Sequence, residues 1–179
     1  CAAQGLTSAR IPEELGGSGM SALEYGLIRE TMGASISFHM GGGEATAHRI
    51  ISGGNAEQIE RFVPGLINGD ILGASGTTEP GAGSDPRGAK AKAVRDGDDW
   101  IVNGHKTWVS GAVSCELMLT SASIGKDEKG HNRLQWFVIE REVSPFITKK
   151  IMCLGLRQGQ LGEAIFDDCR VPDKNVVGA

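Results

Sequence analysis

A glycine-rich run in the middle of the chain, from Thr78 to Asp85, combines residue types that could bind a ligand. Its sequence is Thr-Glu-Pro-Gly-Ala-Gly-Ser-Asp. Because glycine has no Cβ, a buried path through Gly81 and Gly83 would let backbone N–H groups approach a ligand closely. The hydroxyl groups of Thr78 and Ser84 could add hydrogen bonds at the two ends of this path. The run therefore predicts a binding site for a cofactor or another small molecule.

A second segment, Trp108-Val109-Ser110, offers a flat aromatic face next to a hydroxyl group. An indole ring can stack against a planar ligand. Taken alone, a tryptophan in a β-rich run is more often a core aromatic, and a Pro-Gly pair such as Pro80-Gly81 is more often an ordinary β-turn. The residue types by themselves leave both alternatives open.

Other residues of chemical interest lack the spacing that catalysis or metal binding requires. The stretch from Gly17 to Ala22 matches the dinucleotide fingerprint G-x-G-x-x-A, but Pro12 stands where the buried strand of that motif should be. The adjacent acids Asp167 and Asp168 should point to opposite faces of a strand, so we do not expect an acid/base pair. The histidines have no acidic or hydroxyl partners at the spacing of a triad or a metal site, and they are His39, His48, His105 and His131.

The bulk composition argues against several classes of protein. The net charge of -4 and the lack of a long lysine or arginine cluster argue against a surface that binds nucleic acid. No apolar stretch reaches the roughly 20 residues that a membrane-spanning helix needs. The four cysteines form no CxxC pair, so we expect no metal site. Reduced thiols are favoured over disulfides, in a protein that we expect to be intracellular.

The first part of the chain carries helix signals. The capping-box pattern of residues 21–24 predicts a helix that ends near Gly33. A second helix is predicted over residues 45–51. A third helix is predicted to begin after the N-cap Asn55, and we expect Pro64 to break it, because proline lacks the N–H that a helix interior needs.

Beyond these helices the hydrophobic pattern changes to that of β-strands. The runs 100–104 and 106–110 are rich in β-forming residues and flank an Asn103-Gly104 turn signal, which predicts a hairpin or a tight bend. Further β-type runs cover residues 117–124, 134–141, 147–152 and 163–171.

This order of elements predicts an α+β, multidomain fold class. A partial all-α helical N-terminal domain is expected over residues 1–71, followed by an all-β, barrel-like middle domain over residues 72–179. The change of hydrophobic period sets this boundary, since no flexible linker marks it.

The run from Thr78 to Asp85 and the segment 103–110 resemble the acyl-CoA dehydrogenase family, and so does the lead-in that includes Gln58 and Arg61-Phe62-Val63-Pro64. The resemblance extends over essentially the whole chain. It implies FAD as the cofactor and no metal. The cofactor-binding residues that it implies are Ser75, Gly76, Thr77, Thr78, Gly83, Ser84, Trp108, Val109 and Ser110.

The resemblance also implies individual roles. Main-chain groups of residues 75–78 would contact the pyrimidine side of the flavin, and Trp108 would shield one face of it. Ser84 would also contact the acyl-CoA substrate, whereas Glu79 would hold the loop without taking part in the chemistry. Ser110 stands where a threonine is common, so the hydrogen bond should survive while the redox tuning differs.

The activity implied is FAD-dependent α,β-dehydrogenation of an acyl-CoA thioester to a trans-enoyl-CoA, with electrons passed to an electron-transfer flavoprotein. The base would be a glutamate in a C-terminal helical domain expected after Val177, so no catalytic residue is expected in this chain, and the chain alone should be inactive. The first helices of the family would precede Cys1. The full-length protein should form a dimer or tetramer, in the cytoplasm of a bacterium or the mitochondrial matrix of a eukaryote.

Two alternative functions remain open at the level of the sequence. Flavin oxidases and monooxygenases share this fold, and a fold does not dictate a reaction. The chain could also belong to a non-catalytic acyl-CoA-dehydrogenase-like subunit. Turnover of acyl-CoA with an electron-acceptor dye tests the first alternative, and a C-terminal domain without a carboxylate positioned at the substrate α-carbon would support the second.

Overall fold

The computed structural model describes residues 1–33, 42–155 and 159–178. Its α-helices all precede its strands, as the expected α+β order requires. The helices are α1 (Ala22–Thr31), α2 (Gly42–Gly53) and α3 (Ala56–Asn68). The strands are β1 (Gly73–Gly76), β2 (Lys92–Asp96), β3 (Asp99–Val109), β4 (Leu117–Lys126), β5 (Asn132–Glu140), β6 (Ile147–Lys150), β7 (Gly162–Pro172) and β8 (Val176–Val177). Short 3-10 helices cover Ala2–Gln4, Leu6–Ser8, Glu13–Leu15, Pro86–Gly88 and Asp173–Asn175.

The helix starts follow the side chains that cap them. At α1 the Glu24 N–H donates to Ser21 Oγ (3.3 Å), and the Ser21 N–H donates to Glu24 Oε2 (2.8 Å). Asn55 and Gln58 form the same reciprocal arrangement at α3. Capping boxes satisfy backbone N–H groups that have no partner within the first helical turn. The predicted helix starts at Ser21 and Asn55 are confirmed.

Pro64 lies inside α3 and does not break it, so this part of the prediction was wrong. The missing N–H leaves the carbonyl of Glu60 without its helical partner. Both residues are exposed, so water can satisfy that carbonyl. The apolar face of α3 continues across the proline and keeps the helix in place; its buried apolar residues are Phe62, Val63, Leu66 and Ile67.

The strands form one sheet in the order β6-β7-β3-β2-β4-β5-β8, and β1 pairs in parallel with β4. The end strands β6 and β8 do not pair with each other in the described ranges, so "barrel-like" applies only loosely. Phe137 of β5 packs against Trp100 of β3, with ring centroids 5.6 Å apart. Both rings belong to an apolar cluster that also includes residues of β2, β4 and β7, around which the sheet curves.

Strand β4 contributes to two apolar cores because neighbouring side chains of a strand point to opposite faces. Met118 and Ala122 lie in the core enclosed by the sheet. Leu117 and Leu119 instead pack with residues of α2 and α3, such as Ile50 and Phe62. The helices are thereby held against the outer face of β4, next to β1.

The Asn103-Gly104 pair lies inside β3 and makes no hairpin turn, which corrects the prediction. The turn between β2 and β3 lies at Gly97, whose φ is 63°. Gly104 is needed for packing, because a Cβ there would lie 2.5 Å from the Cβ of Ala91. Close approach of two backbones, rather than a turn, accounts for this glycine.

Asn103 marks a β-bulge that also changes the expected arrangement of the two acids in β7. The pairing jumps from Val102 and Cys169 to Gly104 and Phe166, so Asn103 lies opposite two residues. Asp168 has a φ of 45°, and its N–H donates to Asn103 Oδ1 (2.8 Å). Both acids are exposed, so the strict alternation of faces that we predicted for Asp167 and Asp168 does not hold at this bulge.

Candidate functional site

The segment of residues 75–78 lies beside the last residues of β3. The Thr107 N–H donates to the Thr78 carbonyl (2.9 Å), and Lys106 Nζ donates to the Thr77 carbonyl (3.3 Å). The structure therefore brings the candidate residues 75–78 close to the strand end that contains Trp108, although the two segments are far apart in sequence.

Strand β1 fixes the start of this segment. Gly76 pairs with Thr120 of β4, and Thr120 Oγ1 donates to the Gly76 carbonyl (2.7 Å). A Cβ at Gly76 would lie 3.0 Å from Val109 Cγ2, so β1 and β3 approach closely here. Ser75 Oγ lies 3.4 Å from Thr46 Oγ1, which ties the segment to α2.

A buried ion pair holds the loop that follows. Lys106 Nζ lies 2.7 Å from Glu79 Oε1, and the Lys106 side chain is 0% exposed. The Glu79 carboxylate also accepts the backbone N–H groups of Lys90 and Ala91. Burial by itself would raise the pKa of Glu79, but Lys106 and these N–H groups together lower it below its ordinary value. Glu79 thus has the loop-holding contacts that the resemblance implies, and it is not free to act as a base.

The glycine-rich run begins with a tight turn. The backbones of Glu79 and Ala82 exchange two hydrogen bonds, of 2.9 and 3.1 Å, across Pro80 and Gly81. The expectation of a buried path was wrong, because Gly81 and Gly83 are both exposed. A Cβ at either glycine would meet nothing within 4 Å, and neither φ lies in the left-handed region. Packing within the described part of the chain therefore does not explain why these two residues are glycine.

Ser84 is exposed at the end of this run. The next residue, Asp85, accepts the Arg87 N–H through Oδ1 (3.1 Å) and caps the 3-10 helix Pro86–Gly88. Within the described residues no hydrogen bond joins Gly83 or Ser84 to Trp108. The hydrogen bonds of the described chain thus join residues 77–78 to residues 106–107, next to Trp108, and do not include Gly83 or Ser84 in this contact.

Trp108 is 62% exposed and has a φ of 58°. It lies in a β-bulge, since the pairing of β3 with β7 jumps from Lys106 to Val109. The left-handed conformation costs a tryptophan about 1–2 kcal/mol. The alternative of a core aromatic is wrong for this residue. Val109 beside it is buried, whereas Ser110 is exposed, so the bulge presents the indole and the hydroxyl to the surface.

A cationic groove was not predicted from the sequence. It is a cavity of about 780 Å³ between β2, β4 and the loop before β2. Among the described residues no acidic side chain lines it, and Arg95 is paired with Asp173 (3.0 Å). Lys90 and Lys92 project to one face because they alternate with the buried Ala91, and this spacing was a signal that sequence reasoning could have used. The cations that line the groove are Arg87, Lys90, Lys92, Arg95 and Lys126.

The four cysteines are free thiols in the structure, of which Cys115 and Cys169 are buried, Cys153 is half-buried and Cys1 is exposed. Burial raises the pKa of both Cys115 and Cys169 to about 11. Neither is therefore a thiolate near neutral pH. No cluster of three or more potential metal ligands occurs among the residues that the structure describes.

The histidines form no catalytic constellation in the described part of the chain. His105 Nε2 lies 3.3 Å from Glu163 Oε2, and His131 Nδ1 lies 3.4 Å from Asp127 Oδ2. Neither bonds to a hydroxyl or thiol nucleophile there. His39 falls outside the described residues. None of the described helices is long and apolar enough to cross a membrane.

Comparisons with known proteins agree with this geometry. The family described as "Acyl-CoA dehydrogenase, N-terminal domain" matches residues 1–70, and "Acyl-CoA dehydrogenase, middle domain" matches residues 74–169. Mitochondrial isovaleryl-CoA dehydrogenase of Pongo abelii is 32% identical over 183 residues, which cover 97% of this chain and 43% of that protein. Mitochondrial short-chain specific acyl-CoA dehydrogenase of Mus musculus is 29% identical over a match that covers 97% of this chain and 43% of that protein.

Solved structures show the same similarity. A glutaryl-CoA dehydrogenase in complex with glutaryl-CoA superimposes with a TM-score of 0.89 at 32% identity, covering 99% of this chain and 47% of that one. An acyl-CoA dehydrogenase of Bacillus anthracis complexed with FAD superimposes with a TM-score of 0.82 at 29% identity, covering 99% of this chain and 31% of that one. The chain spans less than half the length of these relatives. The matches to both family domains nevertheless cover nearly all of it, and the chain belongs to the acyl-CoA dehydrogenase family.

Proposed function

We propose that this chain is the part of an acyl-CoA dehydrogenase that holds FAD between residues 75–78 and Trp108. The proposal depends on one observation: two backbone N–H groups without acceptors in the described chain lie in a segment bonded to the residue that precedes the exposed Trp108. The N–H groups of Thr77 and Thr78 have no acceptor among the described residues. Trp108 follows Thr107, whose N–H donates to the Thr78 carbonyl.

Three successive carbonyl groups of this segment are already used by the protein. Those of Gly76, Thr77 and Thr78 accept from Thr120 Oγ1, Lys106 Nζ and the Thr107 N–H. At residues 77 and 78 the backbone therefore offers an incoming ligand donors rather than acceptors. Backbone N–H groups need an acceptor when they are covered. The acceptor atoms of a flavin pyrimidine ring match this requirement.

Trp108 supplies the stacking surface in this proposal. An exposed indole in a conformation that costs energy indicates a role other than packing. Covering its face with a planar ring would bury apolar surface that the described chain leaves in water. The exposed hydroxyl of Ser110 is available to donate to the same ring. Packing within the described chain does not explain why residues 81 and 83 are glycine. In this proposal Gly81 and Gly83 would let a ligand approach the backbone next to Ser84.

The cationic groove supports acyl-CoA as the substrate class. It begins at Arg87, three residues after Ser84. Its lysine and arginine side chains could bind the phosphate groups of coenzyme A, because cationic donors form strong charge-assisted hydrogen bonds with phosphate oxygens. The groove thus extends the proposed site toward the part of the substrate that is remote from the reaction.

The division of chemical tasks follows from these contacts. When bound, FAD supplies the oxidant that takes up a hydride from the acyl chain. The N–H groups of Thr77 and Thr78 would favour negative charge on the ring, and Trp108 would exclude water from one face. Glu79 is bonded to Lys106, so we place the base that removes the α-proton outside this chain. We further propose a dimer or tetramer that passes its electrons to an electron-transfer flavoprotein.

The test uses the full-length polypeptide that contains this chain. It should bind FAD with a flavin visible spectrum, and an acyl-CoA thioester should bleach that spectrum under anaerobic conditions. A protein that binds no FAD would overturn the proposal. Oxygen consumption without use of a CoA ester would instead support a same-fold oxidase or monooxygenase. Bound flavin that no acyl-CoA bleaches would support a non-catalytic subunit.

A further inference from the structure

Lys106 is a fully buried cation to which the proposed function gives no role toward the flavin. Its side chain is 0% exposed, and lysine is among the residues that are almost never buried without a partner. Glu79 neutralises its charge across 2.7 Å. A buried ion pair is weak evidence for stability, since desolvation offsets much of the attraction. The position of the pair next to the proposed flavin segment indicates another role.

The ammonium group has a second contact, with a carbonyl of that segment. Lys106 Nζ donates to the Thr77 carbonyl at 3.3 Å. Thr77 itself is exposed, whereas Lys106 belongs to the interior. Although Thr77 lies at the surface, this bond directs its carbonyl toward the protein interior.

The direction of the carbonyl sets the direction of the next N–H. A peptide group is planar and trans, so the Thr78 N–H points away from the Thr77 carbonyl. The described residues contain no cis peptide bond. With the carbonyl held inward by Lys106, the Thr78 N–H faces outward, and no acceptor within the described chain uses it. Without the ammonium group, the same peptide could rotate and expose its carbonyl instead.

We propose that Lys106 is a positioning residue that presents the Thr78 N–H to the flavin ring. The inference rests on the proposed function, and it deepens the proposal by naming the side chain that orients the flavin-binding backbone. Lys106 touches neither the cofactor nor the substrate in this proposal. Its effect passes through one peptide group, between Thr77 and Thr78.

Glu79 keeps the ammonium group in register with that peptide. Its carboxylate is anchored independently of Lys106, because it accepts the N–H groups of Lys90 and Ala91. The bond from the Thr107 N–H to the Thr78 carbonyl holds the far side of the same segment (2.9 Å). Lys106 and Thr107 thus hold two successive carbonyl groups, and the N–H between them is left for a ligand.

The test must separate this role from simple stabilisation. Lys106→Met alone would leave a buried Glu79 carboxylate without its cation and could prevent folding. The double variant Lys106→Met with Glu79→Gln removes both charges and keeps side chains of similar length. Both proteins are made as full-length chains. The readouts are the melting temperature of the apoprotein, the dissociation constant of FAD, the visible spectrum and the midpoint potential of the bound flavin.

We expect the double variant to fold and to bind oxidised FAD at least tenfold more weakly, with a shifted visible band. Loss of an N–H donor weakens the binding of reduced FAD most, because the reduced ring carries a negative charge. A further tenfold loss of affinity for reduced FAD corresponds to a midpoint potential about 30 mV more negative. A variant that folds and retains affinity within twofold, with an unchanged spectrum and potential, would overturn the inference. If the double variant does not fold, Glu79→Gln alone, which retains Lys106 but loses the charge that keeps its ammonium group in register, should shift the visible band in the same direction, and an unchanged spectrum would overturn the inference.

Ser144→Ala provides a matched control. Ser144 is buried, and its Oγ donates to the Arg170 carbonyl, which lies opposite Ile101 and well away from Lys106 along β3. Removing this hydrogen bond should lower the melting temperature without changing the flavin spectrum or potential. A wild-type protein that binds no FAD would contradict the proposed function itself. FAD binding that is equal in the wild type and the double variant would contradict only the role of Lys106.

Discussion

The backbone N–H of Thr107 lies 2.9 Å from the carbonyl oxygen of Thr78. This bond joins the segment that follows β1 to the end of β3, and it brings Trp108 into the neighbourhood of the N–H groups of residues 77–78, which have no acceptor in the described chain. The proposed flavin site is therefore made by a contact between two distant segments rather than by one contiguous motif.

Trp108→Ala should weaken FAD binding by at least tenfold in the full-length protein. The variant removes the exposed face against which the ring is proposed to stack, and stacking on an aromatic side chain contributes about 0.5–1.5 kcal/mol beyond area burial. Titration of the apoprotein with FAD, followed by flavin fluorescence, measures the change.

Trp136→Phe is the control for Trp108→Ala. Trp136 is a half-buried residue of β5 that packs on the helical core and belongs to none of the candidate segments. This variant should keep its affinity for FAD. Equal affinities in the wild type and Trp108→Ala would show that the indole does not contact the cofactor.

Glu79→Ala should destabilise the protein by about 3–5 kcal/mol, because it leaves the Lys106 charge buried without a partner. Chemical denaturation of the apoprotein measures the free energy of unfolding. The exposed pair of Arg170 and Asp96 provides a comparison. Asp96→Ala should cost less than about 1 kcal/mol, as exposed ion pairs do. Similar losses in the two variants would mean that the Lys106 ammonium is not isolated from water.

The contribution of Glu79 to stability should depend on pH in a defined direction. Its pKa in the folded state lies below the ordinary value of 4.5. A lowered carboxyl pKa stabilises the fold above the unfolded-state pKa, and this stabilisation is lost as pH falls through the folded-state pKa. The difference in unfolding free energy between the wild type and Glu79→Gln should therefore be constant from pH 7 to about 5 and shrink at lower pH. A difference that grows on acidification would contradict the ionised pair.

The double variant Lys90→Glu with Lys92→Glu should raise the KM for acyl-CoA at least tenfold and leave the FAD content unchanged. The two lysines line the cationic groove, and reversal of their charge would repel the coenzyme A phosphates. An acyl-pantetheine substrate, which lacks the nucleotide phosphates, should show no such change in KM. This comparison assigns the effect to the phosphate groups.

Lys149→Glu with Lys150→Glu is the matched control for that double variant. These exposed lysines lie on β6, outside the groove, and their replacement changes the net charge by the same amount. Their variant should keep the wild-type KM. A similar rise in KM for both double variants would indicate a long-range charge effect instead of binding in the groove.

Local signals in the sequence predicted local structure well where the side chain acts on its own backbone. The caps at Ser21 and Asn55 are examples, since a capping residue satisfies N–H groups only two or three residues away. Pro64 and the Asn103-Gly104 pair were predicted wrongly. In both cases packing prevails over local preference: the apolar face of α3 carries the helix across the proline, and Ala91 requires a glycine at position 104.

The order of helices before strands follows from the sequence by itself, because it depends on residue types and hydrophobic period. The candidate flavin segments are what the resemblance of the sequence motifs to a known family implies. Only the tertiary structure decided that Trp108 is exposed, that Gly81 and Gly83 do not line a buried path, and that Lys106 reaches the Thr77 carbonyl. It also decided that Lys90 and Lys92, whose alternation with Ala91 is visible in the sequence, share one groove with cations from other elements. Strand register, β-bulges and contacts between distant segments set these features, which a local pattern of residues does not fix by itself.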